Sequence, residues 1–181
     1  RLAVTSSSSH APYGYGDAAS RTQNPQGLID SETDFRGVQT RYTWDTTRGL
    51  PIAAVDAVGT TTQRSTSTEW HPQWALPLRV SESGRETSYT YDAKGNLLSQ
   101  SVTDTTTGTT RTWSWTYNAQ GLVATSTTPA GAVTAYQYDA LGNMVRATNA
   151  LGQADAYTYD AAGRVLTHAA PNGLLTQYSY D

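Results

Sequence analysis

The sequence contains no cysteine, one lysine (Lys94) and one methionine (Met144) in 181 residues. Disulfide staples and thiolate metal sites are therefore excluded. Long apolar runs are also missing. Stretches such as Ile52-Ala53-Ala54-Val55 are about as long as any, far below the roughly 20 residues of a membrane-spanning helix. The opening RLAVTSSSSH lacks the apolar stretch of a secretory leader, so no targeting segment is expected. Positive charge is scarce: 12 Lys and Arg stand against 15 Asp and Glu, a net charge of -3. That balance is too weak and of the wrong sign for the phosphate backbone, so nucleic acid is not an expected partner. Histidine is sparse too. His10, His71 and His168 lie far apart without ligand spacing, and neither a metal nor a cofactor is expected.

What is plentiful suits strands. The chain has 30 Thr, 12 Tyr and five Trp, residues that fit a pleated surface. Fifteen Gly and seven Pro, spread along the chain, punctuate it into short segments. About 10% aromatics argues for burial rather than a disordered low-complexity segment.

Internal repetition organises these residues. YTYDAKGNLL at 89–98, YQYDALGNMV at 136–145 and YTYDAAGRVL at 157–166 are one motif. Degenerate copies are RTQNPQGLI, RYTWDTTRGLPI, TEWHPQWALPL and WTYNAQGLV. Its aspartate position falls at Asn24, Asp45, His71, Asp92, Asn118, Asp139, Asp160 and Asp181, at intervals of 21 or 26 residues. A second glycine follows the first by ten residues in most copies, as at Gly121 and Gly131 or Gly142 and Gly152. Gly16, eight residues before Asn24, suggests that even the first residues carry a degenerate copy, with 1–15 frayed. The whole of 1–181 thus reads as one repeat region, and as a piece of a longer array.

Each copy is expected to run strand, tight turn, strand, tight turn. An Asp or Asn side chain bonds amides further along its own turn, and Gly supplies the positive φ. Asp92 with Gly95, Asp139 with Gly142 and Asp160 with Gly163 are accordingly assigned to turns, and His71 to the same task in its copy. The residues three and one before the marker share a strand face. Tyr89 and Tyr91, Trp115 and Tyr117, Tyr136 and Tyr138, and Tyr157 and Tyr159 would form an aromatic ladder, with Leu97, Val123, Met144 and Val165 between its rungs. This ladder is the expected core. Some 14 strands at about 4.8 Å would span near 67 Å, beyond the roughly ten strands an open sheet carries without curling. The fold class is all-β: tandem hairpins in a curved, spiralling antiparallel sheet.

The YxYDxxGN motif at 21-residue spacing resembles the YD repeat of the Rhs (rearrangement hot spot) family, also found in the B and C components of Tc toxins and in teneurins. The resemblance covers residues from about 16 to 181. It implies a β ribbon forming an arc of a hollow cocoon that encloses a C-terminal toxin domain. Implied partners are further repeats of the same polypeptide, the toxin cargo and a secretion apparatus, type VI among the routes. The implied setting is interbacterial competition, with the protein secreted or at the cell surface. The family's closing DPxGL segment is not found in this sequence.

No enzyme is expected. Ser6 to Ser9 beside His10 read as a polar terminus rather than a nucleophile with its base. His168 lacks clustered ligands. Glu32, Asp34, Glu82 and Glu86 sit near turns without evident convergence, and no phosphate loop, dinucleotide fingerprint or GxSxG elbow occurs. The competing reading is a carbohydrate-binding module using exposed Trp and Tyr. Trp113 and Trp115, on one strand face, are its first candidates because flat aromatic faces can stack on sugar rings.

Overall fold

The structure, a computed structural model, describes residues 6–8 and 19–181. His10 and Gly16, and most of the stretch read as a frayed copy, lie outside them. Ser6–Ser8 lie inside and pair as a strand with Ala19–Arg21.

Two compact units are present, Arg1–Ser88 with Val102–Thr110, and Tyr89–Ser101 with Arg111–Asp181. The first holds β1 (Ser6–Ser8), β2 (Ala19–Gln23), β3 (Ile29–Thr33) and β4 (Gln39–Asp45). It continues through β5 (Leu50–Asp56), β6 (Arg64–Trp70), β7 (Pro77–Glu82) and the start of β8 (Arg85–Tyr91). Each strand is antiparallel to the next in the chain.

The second unit takes in most of β9 (Leu97–Asp104) and β10 (Thr110–Tyr117), then β11 (Val123–Thr127) and β12 (Val133–Tyr138). It ends with β13 (Met144–Thr148), β14 (Ala154–Tyr159), β15 (Val165–Ala169) and β16 (Leu175–Gln177). From β10 onward neighbours in the chain again pair antiparallel. No helix occurs among the described residues. The all-β array of tandem hairpins that the repeat implies is the fold.

Strand pairing sorts the side chains onto two faces. Tyr136 lies opposite Ala147 and Tyr157 opposite His168, while the next residues along, Gln137 and Thr158, lie opposite Arg146 and Thr167. In these strands of the second unit one face is thus aromatic and the other polar. On the polar face hydroxyls pair across strands: Thr22 with Ser31 at 2.8 Å in the first unit, and Thr116 with Thr125 at 2.6 Å and Thr158 with Thr167 at 2.7 Å in the second. Such cross-strand pairs contribute about 0.2–1 kcal/mol each, which explains much of the abundance of threonine.

The expected buried core is not formed. No hydrophobic side chain among the described residues is buried, and Thr87, at 5% exposure, is the one buried polar residue among them. The ladder residues Tyr89, Tyr91, Trp115, Tyr117, Tyr136, Tyr138, Tyr157 and Tyr159 are all half-buried. The reason is geometric: a single sheet covers its side chains from the sides only, and full burial requires a second layer.

Candidate functional site

The repeated unit is a five-residue turn held by one side chain. In Asp139–Asn143 the Gly142 amide donates to the Asp139 carbonyl at 3.1 Å, and the Asp139 amide donates to the Asn143 carbonyl at 2.9 Å. The Asp139 Oδ1 accepts from the Leu141 and Asn143 amides, both at 2.9 Å. Gly142 has φ +87°, a conformation in which a Cβ is strained. This is a three-residue hairpin loop with a glycine bulge. A second irregularity follows on the next strand: Tyr138 lies opposite Met144 and Gln137 opposite Arg146, so Val145 is an extra residue that shifts the register by one.

The same bonds recur at Asn24, Asp92, Asn118 and Asp160. Asp45, in a longer loop, caps Thr47 and Arg48. At His71 the ring Nδ1 takes the place of the carboxylate oxygen, accepting from the amides of Gln73 and Trp74.

The second carboxylate oxygen is also occupied. Asn96 and Asn143 donate through Nδ2 to Asp92 and Asp139 at 2.8 and 2.9 Å, and Arg164 donates through Nε to Asp160 at 2.7 Å. These bonds, with the turn amides, hold the carboxyls of Asp92, Asp139 and Asp160 below the usual aspartate range. At Asp92 and Asp139 the asparagine contributes most, and at Asp160 the Arg164 main chain contributes most. Where the cap is Asn24 or Asn118, the residue four places on is Leu28 or Leu122. A carboxamide cap has no second anionic oxygen to satisfy.

Within each unit an aromatic clasp joins copies to the ones before them. Tyr138, Tyr159 and Tyr180 donate their phenols to the carbonyls of Val123, Met144 and Val165 at 2.9, 2.7 and 2.7 Å. Tyr117 does the same to Leu97 at 2.8 Å. In the first unit the indoles of Trp44 and Trp70 donate to Ile29 and Pro51 at 2.7 and 2.8 Å. The cause lies in the ladder. Pairing of β13 with β14 ends at Arg146 opposite Ala156, two residues past Met144. The phenol supplies the donor that the diverging strand does not. Burial pushes the phenols of Tyr91, Tyr117, Tyr138 and Tyr159 upward.

The rungs three before the marker do other work. Tyr136 shares a hydrogen bond with Ser126 at 3.1 Å. Tyr157 stacks on His168, with ring centroids 4.7 Å apart, and His168 Nε2 lies 2.6 Å from Asp155. Tyr42 donates to Glu32 at 2.6 Å, while Arg21 holds the other Glu32 oxygen at 3.1 Å. That bond pushes the Tyr42 phenol up to about 12 and the Glu32 carboxyl down.

The remaining acids do not converge. Asp34 caps the turn to Gly37 through the amides of Arg36 and Val38. Glu86 lies 3.7 Å from Arg79, and Glu82 4.0 Å from Arg85. Trp113 and Trp115 share β10 and are both half-buried.

Sequence reasoning missed the cap of the second turn. Asp34, Thr128 and Asn149 each stand ten residues after a marker and bond to the amide four residues on. Their spacing carried the signal. The Asp155–His168 pair could be found only through strand register.

Compared with known families, residues 117–154, 138–174 and 159–181 each match the RHS Repeat. No curated protein matches the chain. Among solved structures, TcdB2-TccC3 without its hypervariable C-terminal region is similar at TM-score 0.74 and 20% identity, over 91% of this chain and 10% of that one. A Tc holotoxin pore from Photorhabdus luminescens is similar at TM-score 0.70 and 16% identity, over 89% of this chain and 10% of that one. The likeness is one of fold, and the chain spans about a tenth of the length of these solved chains.

Proposed function

We propose that this chain, whose residues 117–181 match the RHS Repeat, forms part of the wall of a hollow β shell that houses a C-terminal toxin segment. The observation that carries this reading is the clasp. Within each unit, copies are fastened to their predecessors through the same aromatic-to-carbonyl bond, so a wall can grow copy by copy without a second layer behind it. The fold shared with TcdB2-TccC3 supports the reading, since one of those structures is described as lacking a hypervariable C-terminal region. In this role the segment is structural and catalyses nothing. Its partners are further repeats, the enclosed segment and the apparatus that exports the whole, and the assembled protein acts outside the cell that makes it.

Protease protection tests the proposal. The full-length polypeptide, tagged in the segment that follows the repeats, is digested under native conditions and again after the shell is unfolded. Protection of the tag until unfolding is expected. Cleavage of the native protein at the rate of the free segment would overturn the proposal.

The half-exposed state of Trp113 and Trp115 supports the carbohydrate-binding alternative, because a ring need not be uncovered by unfolding to meet a sugar. W113A separates the two readings. Loss of glycan retention at unchanged stability favours the binding module, whereas a loss of stability without any retained glycan favours the wall.

A further inference from the structure

His71 stands where the other copies of the first turn carry Asp or Asn. The chemistry of the three caps differs in one respect. A carboxylate or carboxamide oxygen accepts hydrogen bonds throughout the neutral and mildly acidic range, but an imidazole nitrogen accepts only while it carries no proton.

At His71 the accepting atom is fixed by its neighbours. Nδ1 lies 3.2 Å from the Gln73 amide nitrogen and 3.3 Å from that of Trp74, and both groups are donors. Nδ1 must present its lone pair to them, which leaves the proton of the neutral ring on Nε2. The ring is locked in place. It stacks on Trp74 with centroids 4.2 Å apart and planes 12° apart, and the Trp74 carbonyl accepts from Arg48 Nη2 at 2.7 Å. The charged groups on the elements beside it are Arg48 and Asp45 of the preceding first turn and the Glu69–Arg79 pair of β6 and β7. Asp92 and Lys94 occupy the corresponding turn of the following copy.

We propose that His71 makes its turn an acid-sensitive joint in the array, closed while the imidazole is neutral and released when Nδ1 takes up a proton. Protonation places an N–H against two N–H groups. Both caps are lost together, and stacking on Trp74 cannot replace them, because a ring face accepts nothing from the two amides. The turn of residues 71–76, through which β6 passes to β7, loosens while the turns at Asn24, Asp92, Asn118, Asp139 and Asp160 keep their caps.

NMR on the whole chain tests this. As acid is added and the His71 ring takes up its proton, the amide signals of Gln73 and Trp74 move together with it. In H71N, whose carboxamide oxygen accepts from the amides two and three residues on as the Asp45 carboxylate does, the same signals stay in place. With the ring protonated, those two amides exchange with solvent faster in the wild type than in H71N at the same pH, by roughly 2- to 30-fold, the range expected for losing a side-chain cap. Amide signals that stay fixed while the ring titrates would overturn the proposal, as would a step that persists in H71N. Should H71N fail to fold, the ring nitrogen shifts of the wild type at pH 8 decide instead. A proton on Nε2 supports the joint, and a proton on Nδ1 refutes it.

Discussion

The Tyr159 phenol donates to the Met144 carbonyl at 2.7 Å, across 15 residues of chain and beyond the last paired position of their strands, Arg146 opposite Ala156. Replacing Tyr159 by Phe removes the donor and leaves a partly covered carbonyl unpaired. Such a loss costs about 0.5–1.5 kcal/mol. A urea titration of Y159F should show a lower midpoint at unchanged slope. Y157F, whose ring keeps its stack on His168, should move the midpoint less.

The Tyr42–Glu32 bond gives an alkaline signature. The folded phenol is pushed up to about 12 from an ordinary value of 10.0 by Glu32. Over that interval the unfolded chain gives up its proton first, so the bond's stabilisation is complete below about pH 10 and is lost as pH rises toward 12. Stability followed by urea unfolding from pH 9 to pH 12 should decline more steeply in the wild type than in Y42F.

The capping aspartates give the opposite trend in acid. The carboxyls of Asp92, Asp139 and Asp160 are held below their ordinary value of 3.8, so their contribution is present above that value and is lost as pH falls through the lowered ones. Replacing all three by Asn should flatten the acid limb of a stability profile measured between pH 5 and pH 2.

Asp139 and Asn143 should behave as a pair. N143L deprives Oδ2 of its donor and should destabilise. Adding D139N recreates the Asn118–Leu122 arrangement and should recover most of the loss. A double-mutant cycle by urea unfolding measures the coupling, and additive effects would count against it.

Gly142 distinguishes backbone conformation from space. A Cβ there would meet Leu122 Cδ1 at 3.6 Å, an ordinary contact, but φ is +87°. G142A should cost about 1–2 kcal/mol from the left-handed backbone alone. G142N should cost less, since Asn enters that region more readily. Thermal unfolding of the two variants ranks them.

The turns were legible because an Asp or Asn three residues before a Gly states its own geometry, as at Asp92 with Gly95 and Asp139 with Gly142. So was the two-face alternation around Tyr136 and Tyr138. The clasp was not. It depends on where a ladder stops, and the extra residue at Val145 that shifts the register beside Tyr138 leaves no mark in a strand pattern of period two. The half-buried state of the ladder was also hidden, because an aromatic stripe has the same spelling whether or not a second layer covers it. The Asp155–His168 contact joins residues 13 apart and required the register to be known.

Electron cryo-microscopy of the full-length polypeptide tests the central claim most directly. The account predicts a closed hollow particle whose wall is this ribbon, with density for the enclosed segment inside. An open ribbon with that segment folded outside it would contradict the account.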